Sequence, residues 1–468
     1  MAPRIGVLPL ARPTFDVPYA QEMAAAAFAA LDKAGIVTVG GRDLLFDADA
    51  TTAALAALAG EALDLVLVMQ VTFTDATMTV KIAETVSAPL GIWAFPEPRI
   101  GGRLRLNAFC GLNLAMHALG RAGRKAAWLY AAPDAPEAAA DVGAMAQGGQ
   151  GVVASAEPVG HTAGAGAAAQ AEAALAALRG TTIGLVGEHP AGFDTCRYDP
   201  AALKQLVGMS VQPIPLTRVF DGARAVAQPE VESARAAADA AISGLEGVDQ
   251  PQLERSLRVF RALEGIVGEG KLKGLAVRCW PEMFTDYGCA ACGPMGMMTG
   301  AGVPCACEAD VYGAVTSLLL QNLAGAPSWL VDIVDMDAAS NTGVFWHCGS
   351  APIGMADSAT PPRAQIHTNR KMPLLAEFTL KPGRFTACRI SQAKNDTKLV
   401  IAGGEVLAAP MSFTGTSGVV RFDRPAGEVA AALMGQQLEH HVAMAYGDHR
   451  EALRAVGEKL AIPVVEIA

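Results

Sequence analysis

Leu63-Asp64-Leu65-Val66-Leu67-Val68-Met69 is a nearly continuous apolar run. A strand with one wet face would alternate apolar and polar side chains, because successive residues point to opposite faces. A run without that alternation suits a strand covered on both faces, as in a parallel sheet. The flanking segments agree. Residues 4–10, 89–95 and 125–130 read as further strands, and 20–34, 74–85 and 109–120 as the helices between them. Strands alternating with helices predict a parallel, doubly wound sheet.

The pattern pauses in a stretch dense in Gly, Ala and Ser, residues 148–166, and then restarts. Strands are expected at 181–186, 211–216 and 274–279, with helices at 201–206, 231–245 and 252–268. Beyond about residue 323 the character changes. Short strands at 329–335, 343–347, 376–380, 384–391, 398–402 and 417–422 are separated by Gly, Pro, Asn and Asp, the spacing of an all-β sandwich or barrel. The tail adds a strand at 441–446, a helix at 448–460 and a last strand at 463–467. The expected fold class is α/β. Two doubly wound parallel-sheet α/β domains, residues 1–155 and 156–325, precede an antiparallel β-barrel-like domain, residues 326–468.

Composition narrows the partners. An apolar content of 51% with 18% charged residues fits a packed globular chain. A formal net charge of −10 gives no footing for nucleic acid or an anionic membrane. The N-terminus lacks the long apolar core of a signal peptide, and no stretch has the length of a membrane span free of charges and helix breakers. The expectation is a cytoplasmic protein whose nine cysteines are thiols. Cys289-Ala-Ala-Cys292 with Cys305-Ala-Cys307 imitates a four-cysteine zinc site, but the gap is short and the second pair is C-x-C, so buried apolar thiols are the reading. The glycines at 148–151 follow no strand and open no helix, and no phosphate-binding loop is present, so neither NAD nor ATP is expected.

Chemistry concentrates in four late motifs: Cys305-Ala-Cys307-Glu308-Ala309-Asp310-Val311-Tyr312-Gly313, Val331-Asp332-Ile333-Val334-Asp335-Met336-Asp337, Phe345-Trp346-His347-Cys348-Gly349 and His440-His441. They set carboxylates and imidazoles at the ends of apolar runs, where an acid is costly unless a cation or proton compensates it. Glu308 also reads as a plain helix-start carboxylate. Asp310 is the better cap, because its short side chain reaches the first free N–H groups. Asp332, Asp335 and Asp337 read most simply as a solvated strand edge, with Asp332, straight after Trp-Leu-Val, the exception. His440 and His441 would point to opposite faces of a strand. Oxygen ligands mixed with imidazole suit Mn²⁺, Fe²⁺ or Co²⁺.

With these residues assembled, the C-terminal two-thirds resembles the L-fucose isomerase and L-arabinose isomerase superfamily, closest to its fucose isomerase-like branch. The matching motifs are Arg278-Cys-Trp-Pro-Glu282, Ala306-Cys-Glu308-Ala-Asp310-Val-Tyr-Gly313, Val331-Asp332-Ile-Val-Asp335, Phe345-Trp-His347-Cys-Gly349 and His440-His441, with Leu106-Asn-Ala-Phe-Cys-Gly-Leu-Asn113 in the N-terminal third. The resemblance implies a metal-dependent aldose–ketose isomerase, an intramolecular oxidoreductase, working with Mn²⁺ or a similar divalent ion such as Co²⁺ or Fe²⁺. Carried over, Glu308, Asp332 and His441 look like the metal ligands, and Glu308 and Asp332 the proton carriers. His347 falls on the motif that supplies a further ligand in the arabinose branch, and His347 and His440 stand as metal or substrate contacts. A homo-oligomer, trimer or hexamer, with sites shared between subunits is implied as well.

The expected substrate is an open-chain hexose, deoxyhexose or acidic derivative such as a sulfonated hexose. Trp280, Trp346, Asn113, Trp93, Tyr287 and Gln70 are candidates to touch it, and Arg103, Arg105 and Lys394 candidates for an anionic substituent. Rival readings are an epimerase or aldolase on the same scaffold, and a sugar-binding protein without catalysis.

Overall fold

The computed structural model describes residues 3–148 and 164–468, so most of the glycine-dense stretch, residues 149–163, and the expected boundary at residue 155 lie outside the described residues. Three sheets follow one another along the chain. The first contains β1 (Arg4–Leu10), β2 (Val37–Val39), β3 (Leu65–Gln70), β4 (Leu90–Ala94) and β5 (Ala127–Tyr130), all parallel in the order β2-β1-β3-β4-β5. Every residue of β3 is buried, as its unbroken apolar run requires. The second contains β6 (Thr182–Val186), β7 (Ser210–Ile214), β8 (Gly274–Val277) and β9 (Cys305–Ala306), parallel in the order β7-β6-β8-β9. In both, the strand order reverses direction, between β1 and β3 and between β6 and β8. Clefts open at the carboxyl ends of strands at such points.

The third sheet departs from expectation. Its nine strands are β10 (Trp329–Asp337), β11 (Thr342–His347), β12 (Arg363–Gln365), β13 (Leu375–Thr379), β14 (Gly383–Ser391), β15 (Lys398–Val406), β16 (Thr416–Phe422), β17 (His441–Tyr446) and β18 (Val464–Glu466), in the order β12-β13-β16-β11-β10-β17-β14-β15-β18. It is mixed, not purely antiparallel. β13 runs parallel to β16, and β18 parallel to β15, because helix Arg450–Leu460 carries the chain back before β18 forms. β15 also pairs with β16, Gly404 facing Phe422.

β10 lies between β11 and β17, in the middle of this sheet. The solvated edge expected for Asp335 is therefore wrong: it is buried, as is Asp332, the residue set apart from that reading. Asp335 is clamped by Arg99 Nε at 2.6 Å and Tyr130 Oη at 2.6 Å, which ties the first sheet to the third. Asp337 turns the chain by accepting from the Ala339 N–H. Helix Ala108–Arg121, buried on nearly all sides, is the second tie, and its Cys110 Sγ reaches the Ile333 carbonyl at 3.4 Å. Among the described residues no helix is long and apolar enough to cross a membrane.

Candidate active site

One cleft collects the carboxyl ends of both parallel sheets. Arg12, Thr14 and Phe15 follow β1, Phe73 follows β3, Cys279 and Trp280 follow β8, and Cys307 and Glu308 follow β9. The third sheet closes it with Asp332, Trp346, His347 and His440, and the loop His367–Arg370 lies alongside.

The floor is set by strand register. In the antiparallel pair β10–β17, Asp332 stands opposite His441, and in β10–β11 it stands opposite Trp346. Side chains directly across a ladder share a face. Asp332 and His441 are thus neighbours by sheet geometry, although more than a hundred residues separate them. Glu308 comes from another element. It sits at φ 51° and ψ 26°, followed by Ala309 at φ 57°, so two non-glycine residues in succession are left-handed. Each costs about 1–2 kcal/mol in that region. The kink turns the carboxylate toward the strands before helix Val311–Ala324 begins.

His441 is where the acids meet. Its Nε2 lies 3.0 Å from Glu308 Oε2 and 3.2 Å from Asp332 Oδ1. Its Nδ1 lies 2.9 Å from Asp310 Oδ2. Asp310 is fully buried and pairs with the equally buried Arg389 at 2.5 and 3.0 Å. Burial works against its charge, but Arg389 and His441 outweigh it and hold the carboxyl well below the usual range. An ionised carboxylate only accepts, so Nδ1 carries the hydrogen and the Nε2 lone pair faces Glu308 and Asp332. Asp310 also caps the helix through the Gly313 N–H at 2.8 Å, as expected from the sequence. Glycine is needed there, since a Cβ at residue 313 would lie 2.6 Å from Asp310 Oδ2.

A lone pair and two carboxylate oxygens aimed at one region call for positive charge between them. A proton is one answer: burial disfavours it, but the four neighbouring acceptors raise the His441 pKa well above the ordinary imidazole value. For Glu308, burial works upward and the close contact and charge of His441 prevail, holding the carboxyl low. The distances are within hydrogen-bond reach, yet the angles are not. Glu308 Oε2, Asp332 Oδ1 and His441 Nε2 are all buried without a well-directed hydrogen bond. Spacings of 3.0 and 3.2 Å are those of adjacent ligands each about 2.1 Å from a shared cation. The donor set therefore fits a divalent ion, and the Asp310 carboxylate behind His441 supplies the outer hydrogen bond that metal-binding imidazoles take. His441 forms one cluster of prospective ligand atoms with Glu308 and His347, and another with Asp332 and His440, the atoms in each lying within 4.8 Å of one another.

The other two histidines differ. His347 Nδ1 accepts the Cys348 N–H at 2.9 Å, so the neutral ring carries its hydrogen on Nε2. His440 lies just before β17 begins, so strict strand alternation does not govern it. It lines the cleft beside His441, ring centroids 4.1 Å apart, instead of facing away. Burial, then the charge of His441, pushes its pKa well below the ordinary value.

Of the substrate candidates, Trp280 and Trp346 line the cleft, and the Trp280 indole N–H donates to Glu308 Oε1 at 3.1 Å. The others are placed elsewhere. Asn113 is buried within helix Ala108–Arg121. Trp93 donates to the Ala131 carbonyl, and Gln70 to the Thr72 carbonyl and the Thr74 hydroxyl. Tyr287 stacks on Phe220 in a separate hollow. Arg105 is paired with Asp16, and Lys394 donates to the Gly435 carbonyl. Arg103 does not line the cleft, but it braces two segments that do, donating to Asn369 Oδ1 at 2.8 Å and the Thr14 carbonyl at 2.6 Å. The cations in the lining are Arg12 and Arg370, which sequence reasoning missed. Neither belongs to an apolar run, and a surface arginine carries no mark of where its loop folds. All nine cysteines are free, and Cys279, Cys292, Cys307 and Cys348 line the cleft.

Comparison with known proteins identifies relatives over most of the chain. Residues 6–152 match the fucose/sulfoquinovose isomerase N-terminal domain, and residues 346–468 the L-fucose isomerase C-terminal domain. The sulfoquinovose isomerase of Alkalicoccus urumqiensis is 30% identical over 409 residues, 86% of each chain. That of Priestia megaterium is 28% identical over 454 residues, 97% of this chain and 96% of its own. That of Clostridium sp. is 29% identical over 400 residues, 85% of this chain and 84% of its own.

Proposed function

Since the chain belongs to the fucose isomerase-like family and is a sugar aldose–ketose isomerase, we propose that its substrate is an open-chain sulfonated hexose of the sulfoquinovose type and that it works with a bound divalent cation. The observation that carries the cation is the convergence of Glu308 and Asp332 on the Nε2 of His441. These three residues would hold Mn²⁺ or a similar ion such as Co²⁺ or Fe²⁺. Such an ion, when bound, supplies Lewis-acid polarisation of the sugar's carbonyl and adjacent hydroxyl.

The chain's own groups handle the protons. A carboxylate, Glu308 or Asp332, takes the hydrogen from C2 of the aldose and returns it to C1, through an enediol. The hydroxyl proton on C2 passes to the oxygen on C1, so no atom enters or leaves. Trp280 holds Glu308 Oε1 by its indole N–H, which fixes the direction of the carboxylate. His347, with its hydrogen on Nε2, acts as a hydrogen-bond donor to a substrate oxygen, not as a ligand. Phe15, Phe73, Phe193 and Trp346 keep the walls apolar and limit water around the enediol.

The three sheets support a division into the units 1–155, 156–325 and 326–468, and the β15–β16 pairing supports a barrel-like reading of the last. The free thiols support a cytoplasmic location. A homo-oligomer is proposed from the family resemblance. The test is incubation of the Mn²⁺-loaded chain in D₂O with sulfoquinovose and with neutral aldoses, following products by NMR. Ketose bearing deuterium is expected from the sulfonated sugar. No ketose from any aldose would end the proposal, and C2 exchange without ketose would point to an epimerase.

A further inference from the structure

The cleft has two chemically distinct ends, joined by one indole. At one end Trp280 touches Glu308. At the other, two guanidinium groups lie over the same ring, Arg12 at 5.4 Å and Arg370 at 5.2 Å from its centroid. The two cations are close enough for Arg370 to depress the pKa of Arg12, behind the larger effect of burial. Like charges facing one cavity repel, and an anion between them relieves the repulsion. Arg12 is partly neutralised by Asp75 at 2.6 Å. Arg370 forms no ion pair among the described residues; its guanidinium rests on the faces of Trp280 and Phe284, 5.2 Å from each centroid.

The loop that presents Arg370 is built for it. His367 Nδ1 accepts the backbone N–H groups of Asn369 and Arg370 at 3.2 and 3.3 Å. Burial, then the charge of Arg370, drives the His367 pKa down to about 3, so the ring stays neutral and able to accept. The ring packs edge-on against Phe284, 5.3 Å away. Arg103 binds Asn369 to the Thr14 carbonyl, locking this loop to the segment that carries Arg12.

We propose that Arg370, with Arg12, is the seat for the sulfonate of the substrate, and that His367 and Arg103 are the positioning residues that hold it. A guanidinium presents a planar fork of donors matched to the oxygens of such an anion. A six-carbon chain of roughly 1.5 Å bonds with C1 and C2 at Glu308 and Asp332 runs along Trp280 and delivers its C6 substituent to these cations. Neutral hexoses find the reacting end equally suited but leave Arg370 without a partner, so the pair selects among sugars that the carboxylates treat alike.

This rests on the isomerase reading, and the test separates the two. Binding of sulfoquinovose, of 6-deoxyglucose (the same chain without the sulfonate) and of glucose 6-phosphate is measured by calorimetry on the Mn²⁺-loaded full chain, with ketose formation followed in parallel. Wild type is expected to prefer the sulfonated sugar, with a preference that shrinks as salt rises. Arg370→Met is expected to reduce the ratio of affinities, sulfonated over neutral, about 10- to 100-fold. Arg370→Lys, which keeps the charge but loses the fork, should reduce it less, and it replaces the methionine variant if that fails to fold by thermal unfolding. A ratio unchanged in both variants, or no preference in wild type, overturns the seat. Glucose 6-phosphate bound as tightly as the sulfonated sugar overturns its assignment to sulfonate. Preferential binding without ketose sinks the isomerase reading and leaves the seat standing; ketose with an unchanged ratio does the reverse.

Discussion

The two ends of the cleft are built on different principles. The acid end stands on a strand register, a kinked backbone and a buried ion pair. Asp332 and His441 are ladder partners, Glu308 is turned in by two left-handed residues, and Asp310 with Arg389 lies sealed behind them. The arginine end stands on loops that are only half-buried, Arg12 after β1 and the turn at 367–370, fastened by Arg103 and His367. On the proposed function, the contrast separates chemistry from choice. Proton transfer needs groups fixed to within a fraction of an ångström, and buried strands supply that. Substrate preference tolerates more movement and can be altered by changing a loop without disturbing the strands.

The most forceful way to break this contrast is at Glu308. Glu308→Gln removes the proposed proton carrier and one anionic group of the proposed metal site while keeping the shape. Turnover should fall at least about a thousandfold, some 4 kcal/mol of barrier, with the unfolding midpoint little changed. Activity within tenfold of wild type would remove Glu308 from the chemistry.

Asp310→Asn tests whether the acid end depends on the buried layer beneath it. It leaves Arg389 buried without its counter-ion, a loss of about 3–5 kcal/mol in urea unfolding. It also deprives His441 Nδ1 of an ionised acceptor, so Mn²⁺ affinity, measured by fluorescence or calorimetry, should drop roughly 10- to 100-fold. A variant as stable as wild type would show that the pair is not what orders the site.

Metal removal probes the same end without mutation. Dialysis against chelator should lower the unfolding temperature, and Mn²⁺ at about a hundred times its dissociation constant should restore roughly 2.7 kcal/mol. The restoration should vanish in His441→Ala. Indifference of wild type to chelator would contradict the ligand set.

Trp280 bridges the two ends, so Trp280→Phe sharpens the comparison. The ring face beneath the arginines remains, while the N–H to Glu308 Oε1 is lost. A decrease of at least about tenfold in kcat/KM is expected, about 1.5–3 kcal/mol for one hydrogen bond to a charged group. Loss confined to KM would mean that the indole serves binding alone.

The smallest effect concerns the segment leading into Asn107, which lines the cleft. Glu97 accepts the backbone N–H groups of Arg105, Leu106 and Asn107. Burial still raises its pKa from 4.5 to about 7, against those hydrogen bonds. A carboxyl raised on folding binds its proton more tightly in the native state, so its contribution to stability is complete below 4.5 and is lost as pH rises through 7. The stability of wild type relative to Glu97→Gln should fall across that window. A difference independent of pH would show that Glu97 does not titrate there.

Some of this was legible from residues alone. The unbroken apolar run at 63–69 required a strand covered on both sides, and the spacing of breakers placed most of the later strands within a residue or two. The strand at 441–446 and the cap at Asp310 came out as expected, because each depends on neighbours in sequence. The mixed character of the third sheet did not, since the direction of a strand depends on a helix many residues away. Asp335 read as a solvated edge because nothing nearby in the chain reveals that Arg99 and Tyr130 will cover it.

The sequence by itself therefore determined the alternation of strands and helices, the family, and the short list of acids and imidazoles able to hold a cation, because residue type and local periodicity are properties of the chain. Only the tertiary structure decided that His441 meets both carboxylates while His440 lies alongside, that His347 Nδ1 accepts the Cys348 N–H, and that Arg12 and Arg370 share one indole. Those outcomes follow from register between distant strands and from where loops come to rest. No pattern in the sequence encodes them singly, because each depends on how separate elements pack against one another.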